Sequence, residues 1–163
     1  MAKKNLQCIV CECALHKYEA EFVDETTFAF YSKLPNDVQI GVYCGHCFDT
    51  KVKTDLDAYN EKMERAKNIN MFYKSQAKES RFVRRTEKPV RIKDCRDRDE
   101  TILRLAFLAA EAGKNALVDV DLSSIKVQDG RWQHSLWSGQ GIPANIEESQ
   151  LKRKFLDSCS YNS

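Results

Sequence analysis

The chain has 163 residues, a net charge of +2 and a hydrophobic share of 42%, enough apolar material for one ordinary domain or two small ones. The charge is too balanced to imply a polyanion partner by itself, and no apolar run approaches the roughly 20 residues that span a bilayer. After Met1-Ala-Lys-Lys-Asn5 comes a cysteine-bearing stretch and not an uninterrupted apolar run, so no secretory signal, no membrane partner and a cytoplasmic location are expected. In that compartment seven cysteines read as metal ligands or free thiols before disulfides.

Two CxxC pairs stand in the first third, Cys8-Ile9-Val10-Cys11 and Cys44-Gly45-His46-Cys47. A tight turn within each pair can aim both sulfurs at one centre, and the four thiolates suit one tetrahedral zinc ion. Cys8, Cys11, Cys44 and Cys47 are therefore the expected metal ligands. Cys13 offers a second thiol close to Cys11, and His16 and His46 are imidazole alternatives. Between the pairs the pattern has period two. Thr27–Tyr31 places Phe28 and Phe30 on one face, and Val38–Tyr43 places Val38, Ile40 and Val42 on one face. The turn residues Leu34-Pro35-Asn36-Asp37 lie between them, which predicts a β-hairpin.

After Cys47 the period becomes helical. Val52, Leu56, Tyr59, Met63, Ala66, Asn70 and Tyr73 recur in steps of four and three. This coiled-coil-like seam has Asn70 as a polar register residue, with Glu61 and Arg65 paired outside it. The seam is expected to pack on the hairpin or the second module, and pairing with a second copy is the alternative. Knuckle, hairpin and a second CxxC entering a helix resembles the treble-clef zinc finger over about residues 6–70, which implies the same four cysteine ligands. Cys44-Gly45-His46-Cys47 also resembles the active-site tetrapeptide of the disulfide isomerase branch of the thioredoxin family. That rival implies thiol–disulfide exchange, with a helix N-terminus lowering the Cys44 pKa. It has no use for Cys8 and Cys11.

Residues 71–87 read as a charged connector. From Arg81 to Arg98 the basic residues outnumber Glu87, Asp94 and Asp97, so Arg84, Arg85, Lys88, Arg91 and Lys93 are possible nucleic-acid contacts. A solvated face or a charge-guarded edge strand explains the same run. Asp97 with Glu100 forms a capping box, Ile102, Leu105, Ala106, Ala109 and Ala110 give an apolar face, and Gly113 stops the helix. Ala116, Val118, Val120 and Leu122 then predict a strand with one buried face. A turn at Gln128-Asp129-Gly130 leads to a second strand, Trp132 to Trp137, so helix and hairpin make a small α+β domain.

The run Ala110-Glu111-Ala112-Gly113-Lys114-Asn115-Ala116 into Leu117-Val118-Asp119-Val120 resembles the YbjQ-type family, small α+β domains described as heavy-metal-binding. The likeness covers about residues 88–146 and implies that fold and a tendency to form homo-oligomers. It transfers no ligand set.

Catalytic constellations are not expected. His134 and Ser135 are strand neighbours on opposite faces, Asp119 and Asp121 read as a solvated strand face, and Cys95 reads as a buried thiol. Gly139-Gln140-Gly141 is too short for a phosphate loop. The tail, residues 147–163, carries Leu151, Phe155 and Leu156 on one amphipathic helix and ends near Cys159.

The whole chain is thus expected to be α+β. An N-terminal zinc-binding hairpin-plus-helix module (1–70) is followed by the connector, by an α+β domain (88–146) with a helix on an antiparallel sheet, and by the tail. The expected role is binding or assembly with structural zinc and a homo-oligomeric or protein partner. Nucleic-acid binding through residues 81–98 and thiol–disulfide exchange at Cys44–Cys47 are the alternatives.

Overall fold

The computed structural model describes residues 5–152; Cys159 and the Phe155–Leu156 part of the tail lie outside the described residues. The protein is α+β, and the chain divides into two compact units, Met1–Glu61 and Lys62–Ser163. The division falls within a helix, earlier than the boundary at 70 expected from sequence.

The first unit opens with two short paired strands, β1 (Leu6–Gln7) and β2 (Ala14–Leu15), and continues into a hairpin of β3 (Ala20–Val23) and β4 (Gly41–Cys44). The hairpin was expected, but its first strand is not Thr27–Tyr31. The Asp24 carboxylate accepts the backbone N–H groups of Thr26 (2.8 Å) and Thr27 (3.1 Å). Such local side-chain bonds compete with a strand ladder, so β3 stops at Val23 and residues 24–31 wind through turns. Phe28 is buried by this winding, edge-on to Tyr59 at 5.5 Å. Val38 is buried, whereas Ile40 is exposed.

Helix α1 (Gly45–Lys51) follows β4 directly, and α2 (Lys53–Lys67) begins one residue later. Val52 and Tyr59 of the expected seam are buried in the first unit and Ala66 in the second. Asn70 and Tyr73 are not helical. Asn68 ends the helix, its side-chain amide donating to the Glu64 carbonyl at 3.1 Å and its backbone N–H to the Arg65 carbonyl. Asn70 then starts a strand and is no register residue: its backbone N–H donates to the Asn115 carbonyl.

In the second unit, β5 (Asn70–Tyr73), β6 (Val90–Cys95), β7 (Ala116–Asp129) and β8 (Trp132–Ala144) form one sheet in the order β5-β7-β8-β6. The β5–β7 pair is parallel and the others antiparallel. Residues 71–87, read as a connector, thus supply most of an edge strand, and Val83 is buried in the core. Helix α3 (Arg98–Glu111) is capped as expected. The Asp97 carboxylate accepts the Glu100 N–H at 2.7 Å, and Glu100 accepts the N–H of Arg96 at 2.8 Å. Gly113, at φ 73°, ends it in the left-handed conformation that glycine tolerates best.

Strand β7 departs from the expected single alternation. One extra residue between Val118 and Asp121 shifts its register against β8, with Asp119 at φ 53°. Such a bulge exchanges the faces of the residues beyond it. Leu117 and Val120 therefore pack together with Leu105 and Ala109 of α3, while Ala116 and Val118 pack on the other face with Val83, Ala144 and Ile146. Strand β8 runs past the expected Trp137 to Ala144. The carbonyl and N–H of Ile146 engage the Asn115 side chain at 2.7 and 2.8 Å, bracing the end of the strand.

The Gly139-Gln140-Gly141 run is a packing device. A Cβ on Gly139 would lie 2.8 Å from Leu105 Cδ1 and Leu122 Cδ2 and 2.9 Å from Thr101 Cγ2. Leu105 and Thr101 are fully buried and have little room to move. Gly139→Val is expected to destabilise the protein by about 1–3 kcal/mol through overpacking, read as a lower urea midpoint. Ser138→Ala, which changes the opposite face of the sheet, should stay within about 0.5 kcal/mol of the parent.

Candidate metal centre

Three neighbouring chain segments carry the cysteines of the first unit. The first is the loop between β1 and β2, where Glu12 N–H donates to the Cys8 carbonyl and Cys8 N–H to the Cys13 carbonyl. The loop is docked onto β4 through Ile9, whose N–H donates to the Val42 carbonyl at 2.9 Å. Gly41 permits this approach, since a Cβ there would fall 2.8 Å from Ile9 Cγ2. The second is the end of β4, where Cys44 lies opposite Ala20. The third is the first turn of α1, where the Cys47 N–H donates to the Cys44 sulfur, the helix N-cap, at 3.4 Å.

The sulfurs of Cys8, Cys11, Cys13 and Cys44 all lie within 4.8 Å of one another, a group that can hold a metal ion. Cys11 is 3.3 Å from Cys13 and 3.7 Å from Cys44, sulfur to sulfur. Cys47 lies outside that group and is tied to it through its backbone N–H on the Cys44 sulfur. Three of the four cysteines expected from the CxxC pairs, Cys8, Cys11 and Cys44, are in this group, and Cys13, named as a substitute for Cys11, stands beside Cys11 where Cys47 was expected. His16 and His46 are not part of it.

The thiols divide their protons unequally. For Cys8 burial opposes ionisation, but hydrogen bonds from the backbone of Cys11, Cys44 and Val10 and from the Cys11 side chain outweigh it and bring the pKa down to about 6. The Cys47 N–H lowers that of Cys44. Cys13 is pushed up to about 12, first by its bond to Cys11 and then by desolvation, and Cys47 to about 12 by its bond to Cys44 and by burial. Adjacent like charges cannot all form in one low-dielectric spot. A bound cation inverts that logic and makes every ligand a thiolate.

The other singled-out residues are dispersed. Cys95 is buried, its sulfur 3.8 Å from the Lys93 carbonyl. Asp119 is held by Arg85 (Nε to Oδ2, 2.6 Å; Nη2 to Oδ1, 3.1 Å), and Asp121 lies 4.0 Å from Lys74. Each carboxylate thus has a cationic partner, and Lys74 also acts on Asp119. Arg85 also donates to the Ser80 and Val83 carbonyls and to the Ser80 hydroxyl, so it braces the fold. Lys88 is exposed. Arg84 lines a groove with Phe82, Glu87 and Lys114. Arg91 and Lys93 project beside Asp121, Ser123, Ser138 and Gln140 around an open concavity of about 370 Å³ on the sheet. Among the described residues no helix is long and apolar enough to cross a membrane.

Comparison with protein-family models gives no match, and neither do comparisons with curated proteins or with solved structures.

Arg85→Ala is expected to cost about 1–3 kcal/mol, because it leaves the buried Ser80 hydroxyl and the Asp119 carboxylate without their partner. Arg85 holds the Asp119 carboxyl below its ordinary pKa. The stability from this pair is therefore present above the ordinary carboxylate range and lost as pH falls through the lowered value. Denaturation curves of parent and variant should converge on acidification.

Proposed function

We propose that this protein is a non-enzymatic binding or assembly protein whose N-terminal unit is stabilised by one structural zinc ion on Cys8, Cys11, Cys44 and Cys47. The observation that carries the reading is the meeting of thiols from two separate segments, the first cysteine loop and the end of β4 that caps α1. Thiolates in a tetrahedral set favour zinc, and four protein ligands leave no open position for substrate or water. The order of loop, hairpin and helix around these cysteines supports the treble-clef likeness, and the first unit is small enough to need such support. Structural zinc in small domains contributes about 10–16 kcal/mol of apparent binding free energy at neutral pH. A reducing, cytoplasmic compartment would keep these thiols available.

Support for a protein partner or a second copy comes from the β7–β8 hairpin. It continues past the residues paired with β5 and β6, and it carries Ile125 and Trp132 at 63% and 82% exposure. The YbjQ-type likeness adds the expectation of a homo-oligomer. The Cys44–Cys47 exchange reading retains one favourable feature, a helix N-cap thiol with a lowered pKa. The crowding of that pair by Cys8 and Cys11 weighs toward metal.

Native mass spectrometry of the reduced protein should find one zinc per chain and a mass above that of a single chain. Chelation should abolish the near-ultraviolet dichroism of the first unit's tyrosines and leave the sheet of the second unit folded. Cys8→Ser should lose the metal. A metal-free folded chain would remove the zinc reading.

Nucleic-acid binding keeps one specific observation in its favour, the placement of Arg91 and Lys93 together on the open face of the sheet. Binding of this kind falls steeply with salt. Arg91→Ala/Lys93→Ala should then abolish retardation of a labelled single strand at low salt. No retardation of that strand by the parent protein would eliminate this reading.

A further inference from the structure

Five cysteines are candidates for a centre where a tetrahedral ion takes four: Cys8, Cys11, Cys13 and Cys44 have sulfurs within 4.8 Å of one another, and Cys47 is tied to Cys44 through its backbone N–H. The surplus thiol can be identified by how each cysteine is held. Cys8 and Cys47 are buried, at 1% and 6% exposure, and Cys44 caps α1 with the Cys47 N–H on its sulfur. Each CxxC pair closes its own turn. Cys13 belongs to neither pair and is exposed, as is Cys11. It is brought back over the loop by Glu12, which takes φ 61°. A non-glycine residue in that region costs about 1–2 kcal/mol and persists only where its surroundings impose it. The result is a second exposed sulfur 3.3 Å from that of Cys11.

We propose that Cys13 is a non-ligating thiol held against the zinc centre, and that Cys11 and Cys13 form the site at which a peroxide oxidises the protein and discharges its metal. This deepens the zinc reading above and rests on it. The Cys11 thiolate attacks one peroxide oxygen. The O–O bond breaks, hydroxide leaves and takes a proton from solvent, and Cys11 becomes a sulfenic acid. The Cys13 thiol then attacks the Cys11 sulfur. The S–O bond breaks, the thiol proton leaves with the hydroxyl as water, and the S–S bond forms. Two thiols lose two electrons in all, and hydrogen peroxide is reduced to two waters. Cys11 is thereby withdrawn as a ligand, and zinc on three thiolates passes to any competing chelator. A dithiol reductant with added zinc reverses the change.

The test uses the zinc-loaded full chain, hydrogen peroxide and a chromogenic zinc chelator, with parent, Cys13→Ser and Cys47→Ser compared. Cys13→Ser should hold one zinc per chain like the parent, but release it at least about tenfold more slowly under peroxide. Cys47→Ser should fail to hold zinc. Peptide mapping of the oxidised parent should find a Cys11–Cys13 disulfide. Loss of zinc from Cys13→Ser would make Cys13 a ligand and overturn the proposal while leaving a metal centre in place. Release from that variant at the parental rate would overturn it equally. A parent chain that binds no zinc would sink this inference together with the structural-zinc reading, and would be seen before any peroxide is added.

Discussion

Sulfur crowding is the constraint on which the N-terminal unit depends. Its hairpin, β3 and β4, pairs over only four residues a side, and an isolated two-stranded ribbon is marginal in water. What fixes the rest is the docking of the first cysteine loop through Ile9 on β4 and the capping of α1 by Cys44. Both place thiols side by side. Without a cation such a cluster must share protons, with some thiols pulled toward ionisation and others pushed away from it. A divalent ion would replace that compromise with a common charge and would cross-link the loop, the strand and the helix at once.

The second unit rests on close packing instead. Helix α3 covers one face of the sheet through Leu105 and Ala109, and glycines on β8 give it the room to come close. The opposite face has its own core around Val83, Val118 and Ile146. No member of either core needs a metal or a charge to remain buried. The two units thus illustrate separate solutions to the same problem, a ligand set where apolar area is scarce and interdigitated side chains where it is not.

Much of this was legible because it is local. The CxxC spacing, the Asp97 cap, the Gly113 stop and the Asp129-Gly130 turn each act over a few residues, and each lies where the sequence places it. The errors arose where one residue overruled a periodic pattern. Asp24 captured the amides of Thr26 and Thr27 and shifted the first hairpin strand upstream. Asn68 ended a helix whose apparent period ran on through Asn70 and Tyr73. The length of β8 was hidden by its glycines and Pro143, residues that usually mark turns. They are accepted here because α3 needs the space, and because β6 pairs with β8 only as far as Gly141, leaving Pro143 on an edge. In the centre itself Cys8, Cys11 and Cys44 were readable from the CxxC spacing, whereas the return of Cys13 to the group depends on a backbone conformation at Glu12 that no spacing rule encodes.

The bulge at Asp119 carries a consequence for how this strand can change. Residues before it and residues after it are out of phase by one, so β7 serves as two half-strands that share a backbone. Either half can accept apolar substitutions on its own schedule, because the positions facing α3 are odd-numbered on one side and even-numbered on the other. Removing the extra residue would join the halves into a single phase and carry Ile125 to the helix side, while Trp132, on the regular strand β8, would keep its face. One residue therefore decides which side chains the distal half of β7 presents to the outside.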